Sequence, residues 1–255
     1  MKNTLITGAT SKIGQEICRK LADQGHNLFL TGRNKNNLVS LTSNLAKLGS
    51  NKQRFFFEAY DFEQQNSVEE LFACSFRKLG SLQNLVYNAG LYLWNPIERP
   101  VINSNKIEKS LLRINFEVPC LLSKLFVQQL KQTKRENQAN IIFIGSISGL
   151  VGEANASLYS ATKGALIGLT KSLALELAQE QISVNIINPG WVKTDLLTKD
   201  LKQKNFSEQE ILETVPQGKW VRPSEIAELV SFLLSGVVNS ITGQSINICA
   251  GLTLG

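Results

Sequence analysis

Apolar residues along this chain follow two alternating rhythms. Short runs rich in branched and aromatic side chains fall at Thr4–Thr7, Asn27–Thr31, Arg54–Ala59, Leu85–Tyr87, Asn140–Ile144, Ser183–Ile187 and Ser245–Ile248. Between them lie longer stretches of helical period, at Lys12–Gln24, Lys35–Leu48, Ser67–Leu79, Asn105–Gln132, Leu158–Gln179 and Pro223–Leu234. The runs that precede crossovers are apolar almost throughout, as strands covered on both faces must be. The pattern therefore predicts an α/β fold, a doubly wound parallel sheet of about seven strands with helices on both faces. No internal repeat, low-complexity tract or linker interrupts it, so residues 1–255 are expected to form one domain.

One segment departs from the rhythm. Between Pro189 and Pro223 the chain is rich in Lys, Gln, Thr and Glu, with weak helical patterning. It follows the sixth strand and so leaves the carboxyl edge of the sheet, where open α/β folds bind ligands. A loop of that length is expected to be a substrate lid over residues 189–223 rather than a passive insertion.

Composition narrows the functional classes. At 255 residues, 43% hydrophobic and 19% charged, the chain can bury a sizeable core without disulfides or structural metals. Cys18, Cys74, Cys120 and Cys249 are far apart and form no metal or redox spacing, so they read as buried thiols of a reducing compartment, and no metal site is expected. The single histidine, His26, follows Asp23-Gln-Gly and reads as a solvated turn residue, which makes a His-based triad improbable. The net charge is +6, but the densest basic cluster, Lys131, Lys134 and Arg135, ends a helix where cations favour the dipole. No nucleic-acid partner is expected. No secretory pattern or membrane-length apolar stretch is present, so a cytoplasmic protein without a membrane partner is expected.

The first strand runs into Thr7-Gly8-Ala9-Thr10-Ser11-Lys12-Ile13-Gly14 and then directly into a helix. Glycines at such a junction let the backbone approach a pyrophosphate, whose charge the helix N-terminal amides hold. A glycine turn alone is weak evidence, because many strand–helix junctions need a positive φ. Its place at the first βα turn, followed by a second strand and helix, favours a dinucleotide. At the end of the second strand stands Thr31-Gly32-Arg33, with no carboxylate to accept the ribose hydroxyls. Arg33, helped by Ser11 and Lys12, is placed to pair with a 2′-phosphate, which predicts NADP(H) rather than NAD(H).

Of the four tyrosines only Tyr159 has a lysine four residues later. On a helix Tyr159 and Lys163 share a face. A nearby ammonium stabilises phenolate and brings a tyrosine toward use as an acid or base. Thirteen residues earlier a buried strand opens into Gly145-Ser146-Ile147-Ser148-Gly149, which puts Ser146 at the carboxyl edge. Ser146 is there either a turn or cap residue or a hydrogen-bond partner for a substrate carbonyl.

These landmarks, with Asp61, Asn88-Ala89-Gly90, Asn115, Asn188-Pro189-Gly190, Thr194, Arg222-Pro223-x-Glu225-Ile226-Ala227 and Thr242-Gly243-Gln244, stand in the order found in classical short-chain dehydrogenases/reductases, which the chain resembles over essentially its whole length. The resemblance implies a single-domain Rossmann fold and an oxidoreductase moving hydride between a nicotinamide cofactor and a carbonyl or alcohol. It implies Tyr159 as general acid in reduction, Lys163 as its tuner and nicotinamide-ribose ligand, Ser146 orienting the substrate oxygen, and Asn115 anchoring a proton-relay water. Cofactor contacts are implied for Gly8, Ser11, Lys12, Ile13, Gly14, Arg33, Asp61, Phe62, Asn88, Ala89, Gly90, Tyr159, Lys163, Pro189, Gly190, Val192 and Thr194. Asp61 would bind the adenine amine, and Pro189–Thr194 the nicotinamide. Asp61 as a turn carboxylate and Asn115 as a solvent-facing helix residue are the plainer alternatives.

Three positions depart from the family pattern: Lys12 replaces the middle glycine, Tyr87 an Asn before Asn88-Ala-Gly, and Cys249-Ala250-Gly251 an Asp-Gly-Gly. Around Ser146 and Tyr159–Leu175 the resemblance is strongest to 3-oxoacyl carrier-protein reductases, implying a 3-oxoacyl thioester substrate reduced with NADPH. The positions of Asn137 and Glu180, often basic in that group, are not basic here. A small-molecule substrate, such as a free ketone, keto-sugar or secondary metabolite, stays as the alternative. A non-catalytic NADP-sensing module would show degenerate catalytic residues, and all four are intact. An extended-branch epimerase or dehydratase would need a longer C-terminal substrate domain and different glycine spacing. The resemblance further implies a homotetramer built on Asn105–Gln132, Leu158–Gln179 and a C-terminal strand.

Overall fold

The computed structural model describes residues 1–50, 52–98, 105–133, 138–194 and 207–254. Seven strands, β1 (Asn3–Thr7), β2 (Asn27–Gly32), β3 (Phe55–Ala59), β4 (Asn84–Tyr87), β5 (Ala139–Ile144), β6 (Ile182–Pro189) and β7 (Ser245–Ile248), pair in parallel in the order β3-β2-β1-β4-β5-β6-β7. Helices α1 (Lys12–Asp23), α2 (Lys35–Leu48) and α3 (Ser67–Leu79) are the crossovers of the first half. The second half has α4 (Asn105–Leu112), α5 (Val118–Gln132), α6 (Ser148–Val151), α7 (Ser157–Leu177), α8 (Glu208–Thr214) and α9 (Pro223–Ser235). The expected single-domain, doubly wound Rossmann fold is present.

Alternate residues of the central strands feed two cores, as a two-faced sheet requires. Leu5, Phe29, Leu85, Phe143 and Val184 pack with α3, α5 and α7 on one face. Ile6, Leu30, Val86, Ile142 and Ile187 pack with α1, α2 and α9 on the other. Chain order reverses between β1 and β4, so the loops leaving these neighbours diverge and open a crevice at the carboxyl edge.

Four expectations change. The helix expected over Asn105–Gln132 is interrupted by a π-helical turn, Arg113–Glu117, in which the Val118 N–H bonds back to the Arg113 carbonyl. Pro119 supplies the reason: it has no N–H to send to the Asn115 carbonyl, so the α ladder cannot run through. Two short helices escaped the pattern. α6 has only four residues, and α8 starts with a capping box between Ser207 and Glu210 inside the weakly patterned segment. His26 is buried, not a solvated turn residue, with Nδ1 at 2.9 Å from Thr4 Oγ1, because its turn folds back under the amino edge of the sheet. Cys18, Cys74 and Cys249 are buried, whereas Cys120 is only half-buried on the outer side of α5. Among the described residues no helix is long and apolar enough to cross a membrane, and no cluster of potential metal ligands occurs. Lys134, Arg135, Asn137 and the 195–206 part of the expected lid lie outside the described residues.

Candidate active site

The site is assembled from loops leaving β1, β4, β5 and β6 at one edge. After β1 the chain turns at Gly8, which has φ +62° and where a Cβ would lie 2.8 Å from the Ala89 amide nitrogen. A Cβ at Gly14 would lie 2.2 Å from the Gly8 carbonyl oxygen. Only glycine lets this turn close against the segment after β4. Ser11 caps α1 by accepting from the Gly14 amide at 3.0 Å, and α1 has no acidic residue in its first turn. Asn88 ties the two loops together, its Nδ2 donating to the Gly8 carbonyl at 2.9 Å and to Ser11 Oγ at 3.1 Å. Thr7 Oγ1 accepts from the amides of Asn88 and Ala89, each at 3.1 Å. Ser11 Oγ thus has both lone pairs engaged and its proton left to donate. Bare backbone, a capped helix N-terminus and no local carboxylate fit a bound pyrophosphate.

Lys12 is exposed at the first position of α1 and has no positive φ, so the missing middle glycine leaves the turn intact. Arg33 is exposed just beyond β2. The Ala9 amide donates to the Thr31 carbonyl at 3.0 Å, which sets Arg33 beside the 8–14 turn. Half-buried Asp61 makes an Asx turn after β3, Oδ1 accepting from the Glu63 amide at 3.1 Å. The Phe62 ring is buried in the core, stacked on Tyr87 at 6.4 Å, which leaves only its backbone for a ligand.

On the other side of the crevice β5 ends at Ile144 and leads through Gly145 to Ser146. The Ile147 amide donates to the Pro189 carbonyl at 3.1 Å, holding this loop against the end of β6. α6 then packs tightly on α7: a Cβ at Gly149 would lie 2.6 Å from the Lys163 carbonyl carbon. That approach puts Tyr159 and Lys163 of α7 against Ser146. Lys163 is 5% exposed and donates from Nζ to the Ile144 carbonyl at 3.0 Å. The ammonium also lies 5.8 Å from the centroid of the Tyr159 ring. Burial removes water from the charged amine and pulls its pKa down to about 8.

The π turn aims Asn115 inward, with no exposure. Its Oδ1 accepts from the Leu91 amide and its Nδ2 donates to the Leu91 carbonyl, both at 2.8 Å, and Nδ2 also reaches Thr162 Oγ1 at 3.2 Å. The side chain therefore pins the loop after Asn88-Ala89-Gly90 to the turn of α7 that carries Lys163. A Cβ on Gly90 would sit 3.5 Å from Asn115 Oδ1 and 3.6 Å from Lys163 Nζ. The four expected catalytic positions thus converge.

Two of them, Ser146 and Tyr159, line a cleft of about 240 Å³ together with Ile13, Pro189, Gly190, Val192 and Thr194, while Lys163 and Asn115 are buried behind its wall. Sequence reasoning gave no role to Tyr92, Ser148 and Glu153, which also line the cleft, while Trp191 falls within the expected Pro189–Thr194 stretch. Tyr92 meets Tyr159 edge-on at 4.9 Å between ring centroids. Trp191 packs with Trp220 on Ile211 of α8, so the described end of the expected lid has its own small apolar cluster. Proximity to Asn88-Ala-Gly and to Ser146 was the only signal these residues gave. A tyrosine able to exchange a proton, a hydroxyl beside it and a buried ammonium behind it suit proton transfer to or from a carbonyl or alcohol oxygen.

Comparison with known proteins agrees. Residues 2–205 match the family model of the short chain dehydrogenases. The chain belongs to the short-chain dehydrogenase family. It is accordingly an oxidoreductase. Among curated relatives it is 33% identical over 251 residues to a 3-oxoacyl-[acyl-carrier-protein] reductase of Buchnera aphidicola, covering 98% of this chain and 97% of the relative. Among solved members of the family, the actinorhodin polyketide ketoreductase with NADPH superposes with a TM-score of 0.89 at 28% identity, covering 98% and 97% of the two chains. A 3-ketoacyl-(acyl-carrier-protein) reductase from Brucella melitensis complexed with NADH gives a TM-score of 0.87 at 25% identity, covering 99% and 98%.

Proposed function

We propose that this enzyme is an NADP(H)-dependent carbonyl reductase whose substrate is a 3-oxoacyl thioester. The observation that carries the reading is that Ser146 and Tyr159 line one cleft beside the glycine turn, with the ammonium of Lys163 buried behind the Tyr159 ring. When bound, the nicotinamide cofactor supplies the hydride that reduces the carbonyl carbon. The pyrophosphate would rest on Gly8–Gly14, with Asn88, Ala89 and Gly90 packed beside the cofactor and Ile13, Pro189, Gly190, Val192 and Thr194 toward the nicotinamide end. Asp61 and the Phe62 backbone would face the adenine. Arg33, with Ser11 and Lys12, would meet a 2′-phosphate, since no carboxylate follows β2 to accept a ribose hydroxyl.

Tyr159 donates its phenolic proton to the carbonyl oxygen as negative charge develops there. The Lys163 ammonium stabilises the phenolate that is left, which lowers the barrier to that transfer. Ser146 orients the substrate oxygen. Asn115 holds the Leu91 loop against α7 and so fixes the wall through which the proton is replaced from solvent.

A free ketone as substrate is the second reading. Glu180, at a position often basic in carrier-protein reductases, is itself paired with Lys131 at 2.9 Å. NADPH consumption with a short 3-oxoacyl thioester, beside free ketones and keto-sugars, separates the two. Thioester turnover that disappears in Tyr159→Phe supports the first reading, and activity on free carbonyls alone supports the second. The π turn and the outer faces of α5 and α7 leave Phe116, Leu121, Val127 and Leu173 around an open groove, which supports a homotetramer, and a monomer by light scattering refutes that assembly.

A further inference from the structure

The proposed mechanism does not use Glu153, yet its carboxylate bonds Tyr92 and Ser148, the two side chains that contact Tyr159 and Ser146. Half-buried in the cleft wall just after α6, it accepts at Oε1 from the Tyr92 hydroxyl, 2.7 Å away, and at Oε2 from the Ser148 hydroxyl, 2.8 Å away. Tyr92 lies edge-on against Tyr159, with the ring planes at 72°. Ser148 is bonded twice to Ser146: its Oγ accepts from Ser146 Oγ at 3.0 Å, and its amide donates to Ser146 Oγ at 3.1 Å. From these contacts, and resting on the assignment of Tyr159 and Ser146 above, we propose that Glu153 is a positioning residue that holds the proton donor and the oxygen-orienting hydroxyl at their working separation.

An ionised carboxylate only accepts, and this fixes the direction of every bond in the chain. Tyr92 and Ser148 must both donate to Glu153, so the oxygen of Ser148 is left to accept from Ser146. The two bonds to the carboxylate are charge-assisted and therefore the strong members of the network. When a carbonyl oxygen arrives, the Ser146 proton swings to it and the bond between the two serine hydroxyls is given up, while the amide of Ser148, a residue that Glu153 still anchors, keeps Ser146 Oγ in place. Only a hydrogen moves. On the other side, anchoring the Tyr92 hydroxyl immobilises the ring against which Tyr159 leans. A reacting group held by packed and bonded neighbours keeps the geometry that proton transfer demands, and small misplacements are costly in rate.

Glu153→Gln keeps the size but offers one acceptor where the carboxylate offers two. Measured in the full-length enzyme with NADPH and the carbonyl substrate it turns over, kcat is expected to fall roughly tenfold. The KM for NADPH should stay within about twofold, because no cofactor-binding position is touched, and the thermal midpoint should not move. The distinguishing readout is a mutant cycle. Tyr92→Phe with Ser148→Ala should lose as much kcat as Glu153→Gln, and adding Glu153→Gln to that pair should cost no more than about twofold further. A Glu153→Gln kcat within about twofold of wild type overturns the proposal, as does a tenfold loss that multiplies onto the pair. Should Glu153→Gln fail to fold, the Tyr92→Phe, Ser148→Ala enzyme decides alone, and near-wild-type turnover overturns the brace. A Tyr159→Phe control keeps the two levels apart: if it retains turnover, the acid/base assignment itself falls, and the brace falls with it.

Discussion

Lys163 Nζ donates to the Ile144 carbonyl across 3.0 Å, so the strand that delivers Ser146 also grips the ammonium proposed to serve Tyr159. One hydrogen bond thus couples the positions of all three groups. The same burial is a thermodynamic liability, because a charged amine has been taken out of water for the sake of the site.

That liability has a sign that can be measured. The Lys163 pKa is about 8 in the folded protein, below its ordinary value of 10.5. Between those values the unfolded chain binds more protons, so this residue makes stability rise with pH from about 8 to 10.5. In Lys163→Met the rise should vanish, and the thermal midpoint at pH 7 should equal or exceed that of wild type. Turnover should nevertheless fall at least about a hundredfold, the scale of lost acid–base assistance. Thermal melts across pH 7–11 beside steady-state kinetics check both halves, and a Lys163→Met protein that retains turnover contradicts the assignment.

Arg33 stands exposed beyond β2 beside the glycine turn, and no carboxylate follows it directly in the chain to claim a ribose. If it pairs with a 2′-phosphate, Arg33→Ala should raise the KM for NADPH by roughly ten- to a hundredfold, the loss of one charge-assisted contact, and leave the KM for NADH nearly unchanged. Parallel titrations with the two cofactors give the answer. Equal effects on both, or none on either, would remove Arg33 from the cofactor site.

The glycine turn offers a paired test. Gly14→Ala puts a methyl 2.2 Å from a backbone oxygen that cannot yield without moving the Gly8 turn. Cofactor affinity should drop by at least about tenfold, since the phosphate cradle itself is displaced. Lys12→Gly restores the residue usual in the family, yet Lys12 already has an ordinary backbone conformation. It should not improve binding, and it should cost up to about 1 kcal/mol of stability through lower helix propensity. Fluorescence titration of NADPH with the two variants separates a required glycine from a merely customary one.

The contrast between these positions shows what was readable in the sequence. The central strands were legible because burial on both faces leaves continuous apolar runs such as Ile141–Ile144. Tyr159 and Lys163 were legible because an i,i+4 spacing on a helix maps directly into space. The π turn was not, because Pro119 after a polar Asn115 reads equally well as one long helix. Tyr92 and Glu153 were invisible for a different reason: they lie on separate loops, 61 residues apart, and only the folded crevice brings them together. His26 misled because a glycine-flanked turn is normally wet, and nothing local announced that the edge beneath it would be closed.

His26 is also where acid should first attack this fold. Its ring is 5% exposed and bonded to Thr4 Oγ1, in a polar row along the amino edge that continues through Asn84 to Asn140. Desolvation, with a smaller contribution from the Lys2 charge, lowers its pKa from 6.5 to about 4. A depressed folded pKa means that the unfolded chain takes up the proton first as pH falls. The stability tied to neutral His26 is complete above about pH 6.5 and is lost progressively toward pH 4, up to about 3 kcal/mol in all. His26→Gln removes the titration while keeping a polar side chain, so its thermal midpoint should fall less steeply than that of wild type between pH 6.5 and 4. Parallel slopes for the two proteins across that window would show that the acid sensitivity of the fold lies elsewhere.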